Sequence, residues 1–189
     1  LDPGMTELST RFPPLADLNA HSFADPRVTV VNRDAMTWIQ EVTDRFDVVI
    51  VDFPDPNSFA LGKLYTTRFY GLLRARLAPG AMVAVQCTSP LFARTSYWCI
   101  IRTLEAAGFV VRPYQTAVPS FGVWGFALAS LGPFEVPPAV PPGLRFLNDA
   151  ALHAMFRFSE DMGPVEVEIN RLDNQALVRY YEQEWKRWD

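Results

Sequence analysis

The segment Asp47-Val48-Val49-Ile50-Val51-Asp52-Phe53-Pro54-Asp55-Pro56 constrains this chain more than any other. An unbroken β-branched run reads as a strand over residues 47–53 that is buried on both faces, the signature of a sheet covered by helices. It ends in two carboxylates three residues apart. Ligands of open α/β sheets bind beyond the carboxyl ends of the strands, so Asp52 stands where chemistry is usually done. Pro54 and Pro56 stop the strand and fix the backbone, which holds Asp55 near Asp52.

Around this strand the pattern alternates. Residues 28–32 form a shorter β-branched run, followed by Asp34 and a helical pattern carrying Trp38, Ile39 and Val42. Residues 65–77 place Phe69, Leu72, Leu73 and Leu77 at helical spacing, and Pro79-Gly80 ends that helix before a buried strand at 81–86. A second helix is expected over 92–107, closed by Gly108. Strands follow from 109 toward 118 and over 124–130. Such an order predicts a doubly wound α/β sheet whose last two strands are antiparallel.

Composition shifts at Leu131. Pro133, Pro137, Pro138, Pro141 and Pro142 make residues 131–143 an extended connector. Beyond it, residues 149–158 and 173–188 read as helices, the second with Leu177, Tyr180, Tyr181, Trp185 and Trp188 on one broad face that packs back on the domain or on a partner. The expected organisation is therefore a catalytic-type domain over 1–130, the connector, and a mostly helical extension over 144–189.

At 189 residues and 49% hydrophobic content the chain can bury one respectable core. Seventeen basic residues against 21 acidic ones, with no Lys/Arg cluster, speak against a nucleic-acid partner. A cationic small molecule suits this balance better. Cys87 and Cys99 belong to no metal-like cluster and read as buried thiols of a reducing compartment. No stretch reaches the roughly 18 apolar residues that a bilayer span requires, so the chain is expected to be soluble. Leu1-Asp2-Pro3-Gly4 reads as the end of a strand, and on that reading the chain is a fragment of a longer protein.

Several side chains carry more than one reading. Asp52 could cap a turn while Asp55 orders the Pro56-Asn57 loop; the two could share a metal; or one could accept a proton from an amine whose positive charge the other holds. No third carboxylate or histidine lies nearby in sequence, which counts against a metal, and the strand-end position favours the amine over the cap. Asp34 opens a helix, so a helix cap is its simplest role, although the same position can face an exocyclic amine of a nucleobase. Gln86 is either a satisfied strand terminus or a pocket amide. Phe121 and Trp124 could wall a pocket, but core closure is the simpler reading for each alone. Tyr65 reads as packing rather than as a pocket hydroxyl. His21 and His153 are isolated from acids in sequence and are assigned no catalytic part.

Together these residues resemble the spermidine synthase family of polyamine aminopropyltransferases. The matching pieces are Asp25-Pro26-Arg27-Val28, Asp34-Ala35, Asp52-Phe53-Pro54-Asp55-Pro56, Leu64-Tyr65, Phe69-Tyr70, Gln86 and Trp124-Gly125-Phe126-Ala127, in consistent order over residues 1–130. The wording of the Asp52 loop and of Val118-Pro119-Ser120-Phe121-Gly122 looks closest to bacterial forms that carry a membrane-embedded domain ahead of the synthase domain.

The resemblance implies a Rossmann-like, class I methyltransferase-like sheet, incomplete at its N-terminal side. It implies transfer of an aminopropyl group from decarboxylated S-adenosylmethionine to a polyamine such as putrescine, giving spermidine, with no metal. Asp52 would be the catalytic base, and Asp55, Gln86, Phe121, Trp124 and Tyr65 would bind the amine. Asp34 and Ala35 would face the adenine. The family's glycine-rich first loop and its ribose-binding acid would lie before Leu1, so the chain alone is expected to be inactive, with its full-length form tethered at the cytoplasmic side of the bacterial inner membrane. Ser120-Phe121-Gly122 stands where the family usually has Thr-Tyr-Pro-Ser-Gly, and Phe59 where it commonly has proline. A homodimer is left open. The competing classes are an S-adenosylmethionine-dependent methyltransferase-like protein and a non-catalytic interaction module.

Overall fold

The structure is a computed structural model in which residues 2–186 are described. The chain divides into two compact units, Leu1–Glu41 and Val42–Asp189.

The first unit is helical. Helix α1 spans Pro3–Arg11 because Asp2 accepts a hydrogen bond from the Gly4 N–H at 2.9 Å and Pro3 fills the first turn, where no N–H is needed. This overturns the strand-end reading of Asp2-Pro3-Gly4, since a cap followed by proline favours a helix start; Leu1 lies outside the described residues. Helix α2 (Pro13–Leu18) follows, and the Asn19 amide reaches back to the carbonyls of Ser9 and Leu15, both at 2.8 Å. His21 is not isolated from acids, because Asp17 lies one helical turn earlier and its carboxylate is 3.1 Å from Nε2. Helix α3 covers Ala35–Glu41. Residues 28–32, expected as a strand, pair with no strand among the described residues, and Val28, Val30 and Val31 are exposed. β-branched side chains favour a strand only where a ladder partner and a packing face are supplied.

The second unit is built on a four-stranded sheet in the order β1-β2-β4-β3, with β1 at Phe46–Val51, β2 at Leu77–Gln86, β3 at Val110–Val118 and β4 at Gly122–Ser130. β1 and β2 are parallel, and their crossover contains the short helix α4 (Phe59–Gly62) and α5 (Thr67–Arg74). The helix expected to run to Leu77 stops at Arg74, and Leu77 already pairs with Phe46. Helix α6 (Arg94–Ala106) leads to β3, and β3 and β4 form an antiparallel hairpin that opens between Val118 and Gly122, where Gly122 takes φ +78°. β4 also pairs antiparallel with β2 and places Phe126 opposite Gln86. The expected mixed α/β order with a final antiparallel pair is present.

One expectation about β1 fails. Val51 is buried, but Val48 and Ile50 are 68% and 76% exposed, so the strand is covered on one face only. It is an end strand of this sheet, and the β-branched run marks strand propensity without guaranteeing two covering layers.

The core lies on the α6 side of the sheet: Tyr97, Ile100, Ile101 and Leu104 are fully buried, as are Val83 and Val85 of β2. Residues 131–143 form no helix or strand. Helices α7 (Asp149–Met155) and α8 (Ala176–Trp185) are shorter than the patterns at 149–158 and 173–188 suggest, and Trp188 lies outside the described residues. Helix α8 packs on α6 of the same unit, with Ala176, Leu177 and Val178 buried. Asn170 pins the approach to it: its amide donates to the carbonyls of Gly62 at 3.2 Å and Tyr65 at 3.1 Å, and its side-chain oxygen accepts from Leu177 N–H at 3.2 Å.

Candidate functional site

Beyond the end of β1 the chain leaves the sheet through the two prolines, and a cavity of about 740 Å³ opens there. Asp52, Asp55, Gln86, Phe121 and Trp124 all line it, on walls that also include Ile50, Tyr114 and Phe126. Five side chains singled out from sequence are thus brought to one hollow by three structural facts: the end of β1, the end of β2 beside it, and the β3/β4 hairpin, whose ladder continues past the end of β2. Among the described residues, no Lys, Arg or His lines this cavity. Two carboxylates in an apolar, aromatic hollow without a cationic side chain make a receptor for a cation.

Asp52, the first residue after β1, is exposed to the hollow. Asp55 is half-buried and held from two sides: Gln86 Nε2 donates to Oδ1 at 3.1 Å, and Tyr181 Oη donates to Oδ2 at 2.8 Å. The Asn57 N–H is bonded at 2.8 Å to the backbone carbonyl of Asp55, so the side chain is not consumed in ordering that turn. A carboxylate has about four acceptor positions, and this one retains capacity for further donors.

Tyr65 lies behind the hollow, fully buried as the packing reading expects, yet its hydroxyl is also bonded. The oxygen is 3.1 Å from the carbonyls of Phe53 and Pro54 and 3.3 Å from Gln86 Oε1. Its one proton can serve one of these acceptors at a time. Burial, reinforced by the charges of neighbouring acidic groups including Asp55 and Asp52, raises the pKa of this phenol far above its ordinary value, so it stays a neutral donor. A hydrogen-bonded run connects Gln86, Asp55 and Tyr181, and the Tyr65 hydroxyl joins it when its proton points to Gln86 Oε1 and not to the Phe53 or Pro54 carbonyl. Phe121 and Trp124, which also line the hollow, pack against each other with ring centroids 5.2 Å apart.

Asp34 and Ala35 belong to the other unit. Asp34 caps α3, its Oδ1 accepting from the Thr37 N–H at 3.0 Å and the Thr37 hydroxyl at 3.3 Å. The cap reading is thus realised geometrically. Cys87 and Cys99 are buried free thiols. The His153 ring lies 3.1 Å from the Pro138 carbonyl, in no contact with the hollow.

Residues 1–135 match the spermine/spermidine synthase domain. The chain belongs to this family. It is 51% identical over 187 residues to polyamine aminopropyltransferase 2 of Ralstonia nicotianae, covering 98% of this chain and 37% of that protein. It is 50% identical over 187 residues to the polyamine aminopropyltransferase of Leptospira interrogans, covering 99% and 38%. The chain thus spans under two fifths of the length of these curated relatives. Its structure is similar, at a TM-score of 0.70 and 22% identity, to a crystal structure of spermidine synthase in complex with the transition-state analogue AdoDATO, covering 84% of this chain and 56% of that one. That likeness establishes the class I methyltransferase-like fold.

At the site of this spermine/spermidine synthase family member, Tyr114 and Tyr181 carried no site reading in the sequence. Tyr181 falls after residue 135, outside the segment that matches the family, on a helix whose aromatic face reads simply as packing. Only the docking of α8 reveals that one of those aromatics ends in a hydroxyl aimed at Asp55.

Proposed function

We propose that this chain carries the acceptor half of an aminopropyltransferase: it binds a polyamine such as putrescine and prepares one of its amines to attack decarboxylated S-adenosylmethionine, giving spermidine. The observation that carries the reading is the pair Asp52 and Asp55 on a single apolar hollow that has no cationic side chain among the described residues. A diamine is a dication near neutral pH, and an alkylammonium cannot attack until it loses a proton. Asp52 takes that proton, while Asp55, oriented by Gln86 and Tyr181, holds the charge of the other end. The freed amine nitrogen forms a bond to the terminal propyl carbon as the carbon–sulfur bond breaks, and the sulfonium leaves as a neutral thioether. Phe121 and Trp124 shield the methylene chain, and the remaining acceleration comes from holding amine, carbon and sulfur in line.

Two carboxylates also suit the choice of donor. A substrate carboxylate placed against Asp52 and Asp55 would be repelled, which favours the decarboxylated nucleoside over S-adenosylmethionine and weighs against a methyltransferase. By family resemblance Asp34 and Ala35 face the adenine.

The proposal extends to the whole protein. Residues 1–130 form the catalytic part, 131–143 a connector and 144–189 an extension. The isolated chain has little or no activity because a donor site needs more than Asp34 and Ala35 to hold a nucleoside. Its full-length form is tethered to the bacterial inner membrane on the cytoplasmic side, although no helix among the described residues is long and apolar enough to cross a membrane. Fractionation of the full-length protein tests the tether, and light scattering tests a homodimer. For the chemistry, Asp52→Asn in the full-length protein abolishes release of the thioether nucleoside from decarboxylated S-adenosylmethionine and putrescine. Unchanged rates would remove Asp52 as the base.

A further inference from the structure

Two contacts tie the last turn of α8 to the start of α6. Glu184 Oε1 accepts from the Thr95 N–H at 2.6 Å, and Oε2 accepts from the Ser96 N–H at 3.0 Å and the Ser96 hydroxyl at 2.7 Å. The next residue, Trp185, packs on Phe92 just ahead of α6, with ring centroids 6.3 Å apart. Glu184 is buried, and a buried carboxylate held by three donors tolerates little displacement. Tyr181 precedes it by three residues, so both side chains leave the same face of α8. The Tyr181 hydroxyl donates to Asp55 Oδ2 at 2.8 Å. We infer that Glu184 is a positioning residue for the acceptor amine: by clasping the start of α6 it fixes Tyr181 on Asp55, and so sets how well that carboxylate receives an ammonium.

The inference rests on the aminopropyltransferase reading and extends it from the side chains that meet the amine to the one that holds them in place. The other end of α8 is anchored separately: Asn170 Oδ1 accepts from the Leu177 N–H at 3.2 Å, and Ala176, Leu177 and Val178 are buried. Tyr181 stands between the two anchors, four residues after Leu177 and three before Glu184. Releasing the Glu184 end leaves the helix held at Leu177 while its last turns are free to shift. A hydroxyl–carboxylate bond weakens steeply with distance and angle, so a displacement of about 1 Å at Tyr181 is enough to lose it.

Asp55 then keeps the Gln86 amide, 3.1 Å from Oδ1, and loses the donor that fixes Oδ2. A carboxylate that must be ordered as the amine arrives binds it less tightly, because the ordering cost falls on the binding step. Asp55 and Gln86 lie within residues 1–135, whereas Tyr181 and Glu184 lie beyond them. The segment that matches the family thus supplies the carboxylate, and the helical extension supplies its alignment through one clasp. Asp52 makes no contact in this chain of bonds, so the effect falls on amine binding and leaves proton removal alone.

The test is a double-mutant cycle in the full-length protein, with butane-1,4-diamine and decarboxylated S-adenosylmethionine. Glu184→Ala is expected to raise KM for the diamine at least ~3-fold, with kcat and the KM for the nucleoside within ~2-fold of wild type. Ser96→Ala, which removes one of the three donors, should raise the same KM by less. In a Tyr181→Phe background the hydroxyl is gone, so Glu184→Ala should add nothing further to KM. A role confined to stability gives the opposite pattern: kcat falls with the folded fraction, KM stays, and the two substitutions act independently. That pattern would overturn the positioning role. If Glu184→Ala does not fold, Glu184→Gln and Ser96→Ala run the same cycle. If wild type transfers nothing, the transferase reading fails, and the calorimetric Kd for butane-1,4-diamine replaces KM. Weaker binding in Glu184→Ala that disappears in the Tyr181→Phe background supports the clasp, and independent effects or absent binding refute it.

Discussion

Ser96 donates its backbone N–H at 3.0 Å and its hydroxyl at 2.7 Å to the same oxygen of Glu184, 88 residues later in the chain. The other carboxylate oxygen accepts from the Thr95 N–H at 2.6 Å. Helix α6 has no side-chain cap of its own at Ala93, so a residue from α8 satisfies its first-turn donors and meets the positive end of its dipole. Glu184→Ala should destabilise the chain by about 2 kcal/mol, read from denaturant unfolding. Glu184→Gln keeps one accepting oxygen and should cost less.

Tyr181→Phe removes the donor to Asp55 Oδ2 and keeps the ring. In the full-length protein the KM for the diamine should rise several-fold while kcat falls less, because the carboxylate loses orientation without leaving the site. Equal losses in both would place Tyr181 in the chemical step instead.

Tyr70 is fully buried, and its hydroxyl has no hydrogen-bond partner among the described residues. A buried donor without an acceptor carries a desolvation cost, so Tyr70→Phe should leave stability unchanged or raise it by about 1 kcal/mol, measured as a shift in denaturation midpoint.

Gly125 sits on β4 with no room for a side chain. A Cβ there would press into the Tyr97 ring and lie 2.8 Å from the Thr88 carbonyl. Tyr97 is itself fixed by its hydroxyl, 3.0 Å from the Phe126 carbonyl. Gly125→Ala should destabilise by about 3 kcal/mol, visible as a loss of soluble expression or of Tm.

Alkaline pH should weaken the fold. Burial pushes the Cys99 thiol up to about 12 from its ordinary value of 9.0, and the Tyr114 phenol up to about 12 from 10.0. Both groups are neutral when protonated, and the folded chain holds these protons more tightly than the unfolded chain. Their contribution is intact below pH 9 and is lost as pH rises toward 12, because the unfolded state releases its protons first. Denaturant midpoints measured from pH 8 to 11 should fall over the upper part of that range. Cys87 and Cys99 should likewise resist iodoacetamide at pH 8 until the chain is unfolded.

What the sequence determined by itself was local. The β-branched run ending in Asp52 predicts β1, the apolar stripe of Tyr97, Ile100, Ile101 and Leu104 predicts α6, and the two strands around Gly122 predict a hairpin, because each signal is written within a few residues. Motifs in consistent order over residues 1–130 were enough to suggest the family. The tertiary structure decided which of these signals became pairs and which faces were covered. Residues 28–32 hold the same β-branched chemistry as β1 yet find no ladder, Val48 and Ile50 remain exposed, and Leu77 turns from helix to strand when it meets Phe46. It alone brought Asn170, Tyr181 and Glu184 to Tyr65, Asp55 and Ser96. Contacts across 88 to 126 residues of chain leave no local period or spacing to read, and they form only once α8 has buried its apolar face against α6.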